Sequence, residues 1–217
     1  MMGSPEASLP ESGVLAKWAR AEVTLPRYRL APEHPFPAAF DDAVVAARAF
    51  LEVHDPAVTV FAGDSAGAAL ALAAACALRD EGGPLPAALY LQSPFVDCSR
   101  ASVDPDPMID QALYDEGIEL FLGHDGDRAD WRASPLFADH TGLPPTLIQA
   151  GGAEAVLTDA TRLASSMCDT TLDVAPGLWH VYQKGLGYMP EARCAFKQGA
   201  EFIIARTAGA DSTERQS

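Results

Sequence analysis

Gly63-Asp64-Ser65-Ala66-Gly67 is a G-x-S-x-G run whose setting makes Ser65 a candidate nucleophile. It follows residues 58–62, a short apolar run with β-branched members that reads as a buried strand. It opens residues 66–79, apolar nearly all round, which read as a buried helix. A tight strand-to-helix turn lifts the serine hydroxyl above the C-terminal edge of a sheet, and flanking glycines let strand and helix approach. The N–H of Ala66 then sits at a helix N-terminus, placed to donate to a developing oxyanion. A serine needs a base, and the base needs an acid to orient it. At an elbow of this kind the acid follows the serine in the chain and the histidine follows the acid. His124, His140 and His180 come after Ser65. His180 follows the last strand-like run, 171–174, by one short loop and is the predicted base, whereas the other two lie in a long irregular segment. For the acid, Glu154 stands on the loop after the strand-like run 146–150. Asp159 reads as a helix-start residue, and Asp173 lies inside a strand. Glu154 is preferred.

The elements that must position these groups alternate along the chain. Helices are predicted over 13–20, 38–53, 66–79, 111–122, 156–167 and 191–205, and strands over 21–25, 58–62, 87–91, 146–150 and 171–174. Strand–helix alternation predicts an α/β fold with a mostly parallel sheet covered by helices on both faces. Residues at about 98–143 interrupt the rhythm and read as a lid-like insertion within a single domain spanning 1–217. The tail after residue 205 is polar.

Composition narrows the function classes. With 217 residues, 48% hydrophobic and 21% charged, the chain is long enough to bury a core without staples. Its 30 acidic against 15 basic residues give a net charge of −15, which disfavours nucleic acid and anionic membranes as partners. The longest apolar run, 66–78, is shorter than the ~18 residues of a membrane span. No secretory signal pattern opens the sequence. Cys76, Cys98, Cys168 and Cys194 form no metal-site spacing and read as buried free thiols in a reducing, cytoplasmic setting. Asp104, Asp106 and Asp110, and separately Asp125, Asp127 and Asp130, miss the calcium-loop pattern and read as solvated acidic loops. No metal site is expected from these spacings.

Taken together, these residues resemble the bacterial hormone-sensitive-lipase-like esterases of the α/β-hydrolase superfamily, over nearly the whole chain. Tyr28-Arg29-Leu30-Ala31-Pro32-Glu33-His34-Pro35-Phe36-Pro37 resembles the family's YRLAPE-HPFP signature, and residues 63–67 its GDSAG elbow. Ser93-Pro94 with Asp97 resembles its SP-x-x-D. Glu154-Ala155-Val156-Leu157-Thr158-Asp159 resembles an acid loop of the variant with glutamate at the acid position, and Gly177-Leu178-Trp179-His180-Val181 its histidine loop. The resemblance implies a carboxylic-ester hydrolase acting on short acyl esters through Ser65, His180 and Glu154. It also implies a small-molecule ester as the partner and no cofactor. A homodimer is left open, since relatives often pair through their last strand and helix. The signature at 28–37 reads as a structural brace, with Arg29 and Glu33 pairing or bonding main chain near the site floor.

The family's HGGG motif, whose N–H groups complete the oxyanion hole, does not occur in this sequence. The chain is therefore expected to begin downstream of it and to lack the N-terminal strands of the fold. Ala66 N–H is then the one predictable oxyanion donor, and either the strand at 21–25 shifts beside the elbow strand or a sheet edge stays open. This departure carries the alternative readings: a catalytically impaired fragment, or a non-catalytic small-molecule-binding protein on the same scaffold. Trp131, Tyr114 and Phe121 either line an acyl pocket or pack the insertion onto the core, and Trp179 shields the base or packs.

Overall fold

The computed structural model describes residues 5–100, 104–124 and 126–208. The helices are α1 (Leu9–Ala19), α2 (Ala38–Val53), α3 (Ala66–Asp80), α4 (Gln111–Leu122), α5 (Leu157–Ser166) and α6 (Pro190–Thr207). The strands are β1 (Val60–Asp64), β2 (Ala88–Gln92), β3 (Thr146–Gly151) and β4 (Thr170–Ala175). They form one parallel sheet in the order β1-β2-β3-β4. β2 and β3 are buried along their whole length, as strands covered on both faces must be.

Period-two alternation assigns the faces. Leu89, Leu91, Ile148 and Ala150 meet Ala68, Leu72, Ala75 and Cys76 of α3 and Ala160 and Leu163 of α5. Tyr90 and Leu147, each one position away from these in sequence, point the other way, onto Ala200 and Ile203 of α6 and Ala19 of α1. α2 packs outside α3 through Phe40, Val44, Leu70 and Ala73. The alanine-rich α3 has little side-chain bulk, so it lies close to both α2 and the sheet. Under α6, Tyr90 donates to Gln149 Oε1 (2.8 Å) and accepts from Gln92 Nε2 (2.6 Å), while Gln149 Nε2 donates to Ala195 O (3.0 Å). The buried amides and the phenol thereby satisfy one another.

Several elements depart from the sequence reading. Residues 21–25 form no strand, and β1 has no second neighbour among the described residues. A strand needs a ladder partner, and Arg20, in the left-handed conformation after α1 (φ 56°), turns the chain away instead. β1 begins later than expected because Asp55 Oδ1 accepts the Ala57 N–H (2.9 Å) and winds Pro56–Val58 into a 3-10 turn. Cys168 and Cys194 are exposed, and only Cys76 and Cys98 are buried. Arg29 bonds main chain, as one of its two readings has it, through Ala38 O (3.4 Å), and pairs with Asp42 of α2 (2.7 Å) rather than with Glu33. The acidic loops are not merely solvated. Asp110 caps α4 by accepting Leu113 N–H (2.8 Å), Asp127 accepts Ala129 N–H (2.9 Å) and Asp130 accepts Arg132 N–H (2.9 Å). Asp125 lies outside the described residues. Between β2 and β3, α4 buries Tyr114, Ile118, Phe121 and Leu122 against Cys98, Ala133, Ala155 and Val156. No helix among the described residues is long and apolar enough to cross a membrane.

Gly199 is where α6 meets the sheet most closely: a Cβ there would fall 2.5 Å from Tyr90 Cζ. The Tyr90 ring is held by its two hydrogen bonds, so α6 itself must move. Gly199→Ala is expected to cost about 1–3 kcal/mol, with the melting temperature falling by about 2–4 °C per kcal/mol in a chain of this size. Thermal unfolding followed by circular dichroism checks this; an unchanged midpoint would show the contact to be soft.

Candidate active site

β1 delivers Ser65 at the sheet's C-terminal edge with φ 52° and ψ −119°, a left-handed-side conformation that costs a non-glycine residue about 1–3 kcal/mol. The surroundings hold it there. Ser65 N–H donates to Gln92 O (2.9 Å), and Ser65 O accepts from the N–H groups of Ala68 (3.1 Å), Ala69 (3.2 Å) and Phe95 (3.2 Å). Gly63 permits the tight approach, since a Cβ there would lie 2.4 Å from the Gly67 carbonyl. The same does not apply to Gly67, where an added Cβ meets nothing within 4 Å. Ala66 opens α3, so its N–H belongs to the first turn, which lacks intrahelical acceptors.

His180 Nε2 lies 2.9 Å from Ser65 Oγ, within hydrogen-bond distance. On the other side of the ring, Nδ1 faces Glu154 Oε2 at 3.8 Å. That is about 1 Å beyond a hydrogen bond. Nδ1 and Glu154 Oε1 are both buried without a partner among the described residues. The three residues come from separate loops, after β1, β3 and β4.

Ser93 escaped the sequence reading as part of this arrangement. It directly follows β2, is fully buried and has φ 45°. Its Oγ donates to Glu154 Oε2 (2.6 Å) and accepts the N–H of Val181 (3.0 Å), tying the acid to the histidine loop. Its only sequence signal was the Ser93-Pro94 pair at a strand end.

The competing residues sit elsewhere. Asp159 pairs with Arg100 (3.1 Å), and burial pushes its carboxyl up to about 7. Asp173 lies within β4, opposite Gln149. His140 is held between Ser166 Oγ and Pro135 O, each at 2.8 Å, and His124 is exposed. Burial raises the Tyr182 phenol and keeps it neutral beside the histidine loop. Trp179 packs with Tyr182 and Met189. Phe121 joins Ala66, Ala69, Leu70, Phe95 and Arg132 around a small apolar recess beside the elbow. Tyr114 instead packs inside, donating to Asp97 O (2.8 Å), and Trp131 stacks edge-on to Phe40. Among the described residues no group of three His, Cys, Asp or Glu could hold a metal.

Residues 1–184 match the family described as alpha/beta hydrolase fold. An acetyl-hydrolase of Streptomyces hygroscopicus is 40% identical over 217 residues, covering 95% of this chain and 72% of the relative. An esterase of Acinetobacter venetianus is 34% identical over 199 residues, covering 87% of this chain and 66% of the relative. The crystal structure of an esterase from the bacterial hormone-sensitive lipase family superposes with a TM-score of 0.89 at 35% identity, over 95% of this chain and 73% of that one.

Ser93→Ala removes the donor to the buried Glu154 carboxylate and leaves the part-buried Val181 N–H without this acceptor. Leaving a buried group unsatisfied costs about 1–3 kcal/mol of stability. Fluorophosphonate labelling of Ser65 should slow by roughly tenfold, a 1.4 kcal/mol rise in its barrier. Equal labelling rates in wild type and variant would show that Ser93 does not support the pair.

Proposed function

The chain belongs to the α/β-hydrolase fold family, and from that premise we propose that it is a carboxylic-ester hydrolase of the hormone-sensitive-lipase-like kind, acting on short-chain acyl esters. The observation that carries this reading is the 2.9 Å contact of His180 Nε2 with Ser65 Oγ, with Glu154 behind the ring. The relatives' names, esterase and acetyl-hydrolase, support the substrate class. The small apolar recess beside Ala66 suits a short acyl group.

In this mechanism Ser65 Oγ attacks the ester carbonyl while His180 Nε2 takes its proton. Glu154 faces the Nδ1 side of the ring, fixes its tautomer and stabilises the imidazolium. The tetrahedral oxyanion receives the Ala66 N–H at the head of α3. Collapse expels the alcohol, which takes its proton from His180, and leaves an acyl group on Ser65. Water then attacks that acyl group with His180 again as base, and the carboxylic acid leaves. The segment at about 98–143 acts as a lid-like wall, with α4 presenting Phe121 to the recess.

A second reading, ligand binding without turnover, follows from the Ala66 N–H being the one oxyanion donor assigned among the described residues. Removing one oxyanion donor costs roughly 10²–10³ in turnover. The two readings separate in one experiment, hydrolysis of p-nitrophenyl butyrate by the folded chain and by Ser65→Ala. Loss of roughly 10³-fold or more in the variant is the expected outcome. A rate unchanged by Ser65→Ala would exclude the serine mechanism. A folded wild type that turns over nothing but melts higher with the ester present would favour the binding reading.

A further inference from the structure

Asp106, on the segment between β2 and α4, places its carboxylate between the two loops that carry the acid and the base. Oδ2 accepts the N–H of Ala155 (2.9 Å), next to Glu154, and the N–H of His180 itself (3.1 Å). Oδ1 accepts the N–H groups of Met108 (2.6 Å) and Ile109 (3.2 Å), closing a local turn that fixes the carboxylate's own position. An ionised carboxylate has about four acceptor sites, and four backbone donors fill them here. No other residue type offers this number of acceptors on so short a stem.

We propose that Asp106 is a positioning residue that clasps the Glu154 loop to the His180 loop and so keeps the 3.8 Å pair within closing distance. This rests on the hydrolase reading above. Ser93 ties the same two loops from the β2 side through Glu154 and Val181. Asp106 ties them from the insertion side, so the pair is held between two bridges. An asparagine cannot replace the aspartate: its amide nitrogen would face two N–H donors at one end of the side chain. The local turn with Met108 and Ile109 keeps the carbonyl oxygen, and the Ala155 and His180 N–H groups lose their acceptor.

Neighbouring Asp104 serves as the comparison. Its N–H donates to Ala155 O (3.2 Å) and its Oδ2 accepts Thr158 N–H (3.0 Å), so its side chain bonds the start of α5 and not the histidine loop. The test uses the full chain as wild type, Asp106→Asn and Asp104→Asn, with residue-resolved amide hydrogen exchange and the kinetics of p-nitrophenyl butyrate hydrolysis. Asp106→Asn is expected to speed exchange of the Ala155 and His180 amides together by about tenfold or more. It should lower kcat by about 10–100-fold with KM nearly unchanged, as a misplacement on the 1 Å scale does. Asp104→Asn should speed exchange at Thr158 and leave kcat within a few-fold. The clasp is overturned if Asp106→Asn leaves both amides protected or leaves kcat unchanged, or if Asp104→Asn lowers kcat equally. Should Asp106→Asn not fold, exchange in the wild type decides, because unprotected Ala155 and His180 amides contradict the clasp. A wild type without Ser65-dependent turnover sinks the hydrolase reading instead, and the exchange data still judge the clasp.

Discussion

Asp64 lies opposite Gln92, Gln92 opposite Gln149, and Gln149 opposite Asp173, so one row of parallel pairing crosses the whole sheet. Parallel strands run out at the same edge, and every chemical group of the site leaves from there. Ser65 and Ser93 are the first residues past β1 and β2, and the acid and histidine loops follow β3 and β4. A slip of one residue in any pair would send Tyr90 or Leu147 to the wrong face and unseat α6 or α3. The hydrophobic layers on both faces therefore fix the position of the site as well as the stability of the fold. The strain at Ser65 and at Ser93 is sustained by this register: Ser65 N–H and Ser93 N–H donate to Gln92 O (2.9 Å) and Gln149 O (2.7 Å), both carbonyls of the adjoining strand.

The sequence was most readable where the physics is local. Apolar runs of the right period and length marked α2, α3, α4 and the three later strands to within a residue or two. The elbow announced itself through a serine between a strand and a helix. The strand at 21–25 was misread because a strand's existence depends on a partner, and its own residues cannot report one. The start of β1 was misplaced because a single Asp55 side chain bond outcompeted β-propensity at Val58. Ser93 and the acidic segment were missed for a related reason. Their bonds run to Glu154, Val181, Ala155, Thr158 and His180, far along the chain. Composition registers such carboxylates only as charge, and charge on a loop is ordinarily solvated.

The neighbourhood of the acid loop holds several carboxylates, and what each one bonds to separates the acid from its neighbours. Asp97 has Arg162 (2.6 Å) and the hydroxyl and N–H of Ser99; Asp159 has Arg100; Asp106 has four backbone amides. Glu154 is as buried as any of them, yet its carboxylate's one hydrogen bond among the described residues comes from the neutral Ser93 hydroxyl, and its second carboxylate oxygen has no partner. A buried carboxylate without a cation is costly, and low local polarity strengthens its attraction for any positive charge that forms nearby. In the proposed mechanism the imidazolium of His180 is that charge, formed 3.8 Å away as Ser65 gives up its proton. Under the proposed hydrolase mechanism, pairing its neighbours and leaving Glu154 unpaired directs the electrostatic stabilisation to the transition state, where an interaction absent from the ground state accelerates the reaction.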